Sequence, residues 1–252
     1  MIFDVAADSY QRFMGRYSDP LSALFVDALA PTPGSRALDV GAGTGALTAQ
    51  LARVLGEEAV AAVEPSPPFL AALRERLPRV DARLAPAEAI PFAAHAFDLT
   101  VAGLVVNFMT EPLVGIAEMR RVTRSGGRVA ASLWDFSGGR APLSLFWRAA
   151  SAIDPAAEDE AALVGARPGY LGELFESAGL HEVRSGELTV RVPYADFEEW
   201  WTPYTLGVGP AGAYVTRLDD EARAALRREC EALLGPGPGA IEGTAVTTVG
   251  VV

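Results

Sequence analysis

The chain has 252 residues, half of them hydrophobic, and a formal net charge of −11. That length can bury a full core and suits one α/β domain with an elaboration, while the acidic balance opposes a phosphate backbone and argues against a nucleic-acid partner. No apolar run is long enough to cross a bilayer, so no membrane partner is expected. The single cysteine, Cys230, excludes an internal disulfide and a Cys-rich zinc site; no metal is expected, and a reducing cytoplasm fits. The opening residues, Met1 to Asp4, lack a basic region followed by an apolar stretch, so no secretion signal is expected. Every basic residue is arginine. The densest group, Arg120, Arg121 and Arg124, falls near the end of an expected helix, where the helix dipole accounts for it.

Residues 8–29 place Tyr10, Phe13, Met14, Tyr17, Leu21, Leu24, Phe25 and Leu29 at helical spacing. Pro20 predicts a division into two helices, with Asp19 as the N-cap of the second. A break at 31–34 precedes a strand at about 36–41 and a helix from Gly45 to Leu55. A second strand at 60–64, a helix from Pro65 through Leu77 and a short strand near 82–84 follow. Residues 97–106 read as a buried strand, 111–124 as a helix stopped by Gly126 and Gly127, and 128–134 as a further strand. Such alternation predicts a parallel sheet with right-handed crossovers and helices on both faces.

The second half is less regular. Residues 135–166 read as an insertion with an acidic patch at Glu158, Asp159 and Glu160. A helix is expected at 168–178, a strand at 187–192, an aromatic and Gly-rich segment at 194–217, a helix at 219–234 and a last strand reaching Val252.

The strongest local signal is the run from Asp39 through Gly41, Ala42, Gly43 and Gly45 to Ala46, between the first strand and the first crossover helix. Glycines there allow a tight turn and let a ligand approach the backbone. Glu64 stands at the end of the second strand, where a carboxylate can accept both hydroxyls of a ribose. Together they predict a nucleoside-cofactor site. The loop alone also satisfies the looser dinucleotide pattern, so a nicotinamide-dependent oxidoreductase stays open at this point.

The downstream motifs carry a family resemblance. The segment 38–47, Val63-Glu64-Pro65, Ala87-Glu88 before Pro91-Phe92, Phe97-Asp98 and Gly126-Gly127-Arg128 resemble class I SAM-dependent methyltransferases, and within them the methyltransferase type 11 group. The resemblance covers roughly residues 8–252. It implies a Rossmann-like, seven-stranded, mostly parallel sheet in the order 3-2-1-4-5-7-6 with strand 7 antiparallel. It also implies a single domain over 1–252, with an N-terminal helical cap at 8–30 and substrate-lid segments at 135–166 and 194–217.

The cofactor implied is S-adenosylmethionine, released as S-adenosylhomocysteine. Gly41, Ala42, Gly43 and Gly45 would line it; Asp39 would sit near its amino-acid end and Glu64 and Pro65 at its ribose. Ala87 and Glu88 would flank the adenine, Leu104 and Val105 would cover the region of the sulfonium, and Tyr10, Arg16 or Tyr17 would close over it from the N-terminal helix. Methyl transfer needs alignment rather than a metal or a nucleophile, and no catalytic residue is singled out. His95 and His181 read as turn residues. Asn107-Phe108-Met109 lacks the prolines of the motif carried by enzymes that methylate nucleic-acid amines. A small-molecule acceptor is therefore expected, contacted by Asn107, Trp134, Trp200 and Tyr204. A binding module that holds the cofactor without turnover is the further alternative, and the protein is expected to be a monomer or a homodimer.

Overall fold

The computed structural model describes residues 7–157, 159–160, 167–235 and 237–252, with Ala7 and Asp8 described by their backbone alone. Seven strands form one sheet: β1 (Ala37–Val40), β2 (Val60–Glu64), β3 (Asp81–Leu84), β4 (Phe97–Gly103), β5 (Thr123–Trp134), β6 (His181–Tyr194) and β7 (Gly239–Val251). Their order is β3-β2-β1-β4-β5-β7-β6. The first five strands pair in parallel, and β7 runs antiparallel to both β5 and β6. This is the expected class and order.

Alternation along the central strands sorts side chains to two faces. Ala37, Val60 and Ala62 pack with Phe25 and Leu29 of α2 (Arg16–Leu29), Leu47 and Leu51 of α3 (Ala46–Leu55) and Leu73 of α4 (Pro67–Arg76). Leu38, Ala61 and Val63 pack with Ile116 and Met119 of α5 (Pro112–Val122) and Phe175 of α7 (Tyr170–Ser177).

A third, aromatic cluster lies at the β6–β7 side. It gathers Phe146 and Trp147 of α6 (Ser144–Ile153), Trp200 and Trp201 of α8 (Phe197–Trp201) and Tyr204. Tyr214 of α9 (Gly209–Arg217) and Cys230 of α10 (Asp220–Leu234) complete it. Cys230 is thus an inward-facing residue rather than an exposed one. Among the described residues no helix is long and apolar enough to cross a membrane.

Two local expectations are corrected. Pro20 does not divide the N-terminal helix; it lies inside α2. The irregularity sits upstream, where a π-helical turn (Gln11–Gly15) separates α1 (Ala7–Tyr10) from α2. The proline falls in the first turns after that wide segment, so the chain loses one backbone donor without a break. Asp19 accordingly caps nothing: its Oδ2 accepts a hydrogen bond from Gln11 Nε2 at 2.8 Å. Farther on, Gly126 and Gly127 do not stop α5. The chain enters β5 directly at Thr123, and both glycines lie within that strand, Gly126 at φ +70°.

Candidate functional site

The glycine loop is shaped by close packing. The Gly41 and Ala42 N–H groups both donate to the Val63 carbonyl, at 2.8 and 3.1 Å, binding the loop to the end of β2. Gly41 has φ +70°, and a Cβ there would lie 2.4 Å from Val105 Cγ2. Val105 therefore packs directly against the loop, and only glycine fits beneath it. Gly43 has φ +57° but faces open space.

Glu64, almost completely buried, accepts one backbone N–H on each oxygen, from Gly43 and from Ser66, both at 2.8 Å. A carboxylate offers about four lone-pair sites, so two stay open for further donors. Burial raises the Glu64 pKa, opposed by the bonds from Ser66 and Gly43. Asp39 is buried beneath the loop and accepts from Thr48 Oγ1 of α3 at 2.6 Å. Burial pushes its carboxyl up to about 7.

Two clefts meet at the carboxyl ends of β1 and β4. The first is bordered by Asp39, Gly41, Ala42, Gly43 and Thr44, by Gly103 and Ser132, and by Ser18, Ser22 and Phe25 of α2. The second is bordered by Phe13, Met14, Asn107, Phe108, Trp134, Phe136, Leu143, Glu160 and Val208. Tyr10 and Leu104 border both clefts. Leu104 adopts φ +59°, a left-handed conformation that costs a branched residue energy. Its N–H donates to the Ser132 carbonyl at 2.9 Å, which helps to hold it there. Strain of this kind concentrates where the surroundings over-determine a functional conformation.

The structure brings together only part of the expected set. Asp39, Gly41, Ala42, Gly43, Leu104 and Tyr10 border the first cleft, and Asn107 and Trp134 the second. Gly45 stands behind the cleft at φ +89°, as the residue that opens α3. Ala87 and Glu88 form a 3₁₀ turn after β3, and the Glu88 carboxylate accepts the Glu111 N–H at 3.1 Å. Pro65 is exposed between β2 and α4.

Arg16 does not turn to the cleft. Its guanidinium donates to the Glu199 and Pro193 carbonyls at 3.1 and 3.2 Å, tying α2 to the aromatic lobe. Tyr17 is buried in the aromatic cluster and borders neither cleft. Trp200 and Tyr204 are likewise core residues: Tyr204 stacks on Phe146 with ring centres 4.5 Å apart, and Trp200 tilts against it at 4.7 Å. Aromatic area this large is more favourably buried against other rings than left lining an opening.

Ser18, Ser22 and Glu160 border the clefts without having been expected there. Ser18 and Ser22 are polar residues four apart on an otherwise apolar helix face, a signal that was available. Gln11 accepts from Thr44 Oγ1 at 3.3 Å and so links the N-terminal segment to the glycine loop. Glu160, of the acidic patch at 158–160, is buried and accepts from Trp147 Nε1 at 2.9 Å. Glu158 of the same patch lies outside the described residues.

Comparisons with known proteins agree with this geometry. The family described as Methyltransferase domain matches residues 38–131. An uncharacterized methyltransferase of Mycobacterium tuberculosis is 39% identical over 127 residues, 50% of this chain and 49% of that protein. The demethylmenaquinone methyltransferase of Renibacterium salmoninarum is 37% identical over 109 residues, 43% of this chain and 45% of that protein. The matched regions thus span about half the length of these curated relatives or less. Among solved structures, a SAM-dependent methyltransferase of Thermotoga maritima, described as a possible histamine N-methyltransferase, superposes with a TM-score of 0.59. It does so at 18% identity, over 97% of this chain and 94% of that one, and shares the fold. The match over residues 38–131 spans the glycine loop and the strands from β1 into β5, so this part of the chain is similar to a methyltransferase domain, on a sheet with the strand order of that fold.

Proposed function

We propose that this protein transfers the methyl group of S-adenosylmethionine to a small, largely apolar acceptor by in-line displacement. The observation that carries the reading is the shared wall: Tyr10 and Leu104 border both the glycine-loop cleft and the aromatic chamber. A donor in the first and an acceptor in the second would meet across that wall.

The cleft suits the cofactor. Gly43 presents backbone rather than side chain to open space, Glu64 keeps spare acceptor capacity beside it, and Asp39 supplies a buried carboxylate for a cationic group. S-Adenosylmethionine, when bound, supplies a methyl group on a sulfonium, a carbon already activated for displacement. The protein's part is then to align donor and acceptor and to exclude water, which the apolar chamber walls favour. The whole of 1–252 would act as one unit, the N-terminal segment 8–30 covering the donor and the segments 135–166 and 194–217 shaping the acceptor side.

The acidic balance and the occupied arginines support a small acceptor over a nucleic acid. Arg121 donates to the Phe92 and Ile90 carbonyls and to Glu118, Arg120 to the Gly179 carbonyl, and Arg124 to Asp98. The relative named a demethylmenaquinone methyltransferase is a further argument for a small-molecule acceptor. A buried lone cysteine suits a reducing, cytoplasmic setting.

Calorimetry with S-adenosylmethionine, S-adenosylhomocysteine and NAD tests the reading. The first two are expected to bind and NAD not to. Binding of NAD alone would return the chain to oxidoreductase chemistry, and cofactor binding without S-adenosylhomocysteine release on any acceptor would make it a binding module.

A further inference from the structure

Glu160 is a buried carboxylate in an apolar place. It is 5% exposed and borders the aromatic chamber together with Phe13, Trp134 and Phe136. A buried charge is unfavourable unless paired. All 21 arginines and both histidines lie among the described residues, and none bonds to Glu160, whose hydrogen bond comes from the neutral Trp147 indole. The chamber holds two further unmet groups: Asn107 Oδ1 and Trp134 Nε1 are buried without a partner. Among the described residues the chamber thus offers the Glu160 carboxylate and Asn107 Oδ1 as acceptors and Trp134 Nε1 as an unmet donor, with Tyr10 also on its otherwise apolar border. A ring carrying a hydroxyl, able to donate and to accept, satisfies it.

We infer that Glu160 is the general base of the acceptor site, taking the proton of an aromatic hydroxyl group seated in the chamber. The inference rests on the methyltransferase reading above and adds to it the acceptor class and the proton's destination. The hydroxyl oxygen forms the new O–CH₃ bond as the S–CH₃ bond of the methylsulfonium donor breaks, its electron pair staying on sulfur. The O–H proton passes to the Glu160 carboxylate and from there to solvent. A neutral phenol is a poor nucleophile, so a base beside it has a task to perform. Burial first, then the charge of Asp159, pushes the Glu160 carboxyl up to about 7, with the Trp147 bond opposing. That is close to the value at which a base works best near neutral pH. The other titratable groups nearby are Tyr10, which borders the chamber, and Tyr204, whose hydroxyl burial holds well above its ordinary range.

The test compares wild type with Glu160→Gln, in which the amide oxygen can still accept from Trp147. The probes are 1-naphthol and 1-methoxynaphthalene, which differ by the donated proton. With S-adenosylhomocysteine present, calorimetry on wild type is expected to give at least about tenfold tighter binding of the naphthol, and E160Q to remove that preference. With S-adenosylmethionine, methylation of 1-naphthol is expected to fall about 10²-fold or more in E160Q. The wild-type rate should rise through about pH 7 as Glu160 ionises, and this limb should vanish in E160Q. S-Adenosylhomocysteine affinity should stay within error, and the thermal midpoint should not fall, because the amide carries no buried charge. Equal binding of the two probes, an unchanged rate or pH limb in E160Q, or methylation of 1-naphthylamine in place of 1-naphthol would overturn the inference. Loss of S-adenosylhomocysteine binding in wild type would instead remove the methyltransferase reading itself.

Discussion

Replacing Gly41 by alanine separates two physical reasons for a glycine at one position. At φ +70° an L-residue pays about 1–2 kcal/mol for the left-handed conformation. A Cβ would also lie 2.4 Å from Val105 Cγ2, and overpacking of this kind costs about 1–3 kcal/mol more. Gly41→Ala is expected to lower the unfolding free energy by about 2–5 kcal/mol, read as a fall in urea midpoint at constant m. Val105→Ala alone removes two partly buried carbons and should cost about 1 kcal/mol. In the double variant the steric part disappears and the conformational part stays, giving a favourable coupling of about 1–3 kcal/mol. Gly43→Ala is the control: φ is +57°, but nothing lies within 4 Å. It should cost only the conformational part, about 1–2 kcal/mol, yet weaken S-adenosylhomocysteine because the methyl enters the cleft. If Gly41→Ala and Val105→Ala are strictly additive, or Gly41→Ala costs less than about 1 kcal/mol, the contact does not act as described.

Glu64→Ala should weaken S-adenosylhomocysteine binding by about tenfold or more and, because it strips the acceptor from the Gly43 and Ser66 N–H groups, also cost about 1–3 kcal/mol of stability; unchanged affinity in calorimetry would remove it from the site. Asp39 has a folded pKa raised to about 7 from an ordinary 3.8, so its contribution to stability is full below about pH 4 and is lost as pH rises through about 7. Wild type should therefore lose about 1.4 kcal/mol per pH unit over that window relative to Asp39→Asn, and parallel stability curves for the two proteins would refute the burial argument. Tyr204→Phe deletes a buried hydroxyl that has no partner and should leave stability unchanged or raise it by up to about 1 kcal/mol, with no change in acceptor KM. A raised KM would return Tyr204 to the acceptor site.

The first five strands and their helices were legible because each depends on neighbours in the chain. Val60–Glu64 is a run of buried residues ending in an acid, and Pro67 at the start of α4 is a local start signal. The glycine loop was legible for the same reason, since positive φ at Gly41, Gly43 and Gly45 is a property of the residue type. The π-helical turn at Gln11–Gly15 was not, because periodicity along the N-terminal segment reads much the same with one residue of wider turn. The start of β5 at Thr123 was hidden by two glycines, which mimic a helix stop but sit within the strand.

The chain by itself determined the element order, the glycine loop and the acid beside it, all set by short-range conformational chemistry. Only tertiary structure decided which side chains face the clefts. Arg16 is held by carbonyls 177 and 183 residues away and so turns from the glycine-loop cleft. Tyr204 is claimed by Phe146 and Trp200 by Tyr204, while Trp134 and Asn107 border the chamber. Glu160, one of three consecutive acids in the chain, is buried against Trp147 by the packing of the aromatic lobe. Residue type limits what a side chain can do, but desolvation and its partners, which come from distant parts of the chain, set what it does.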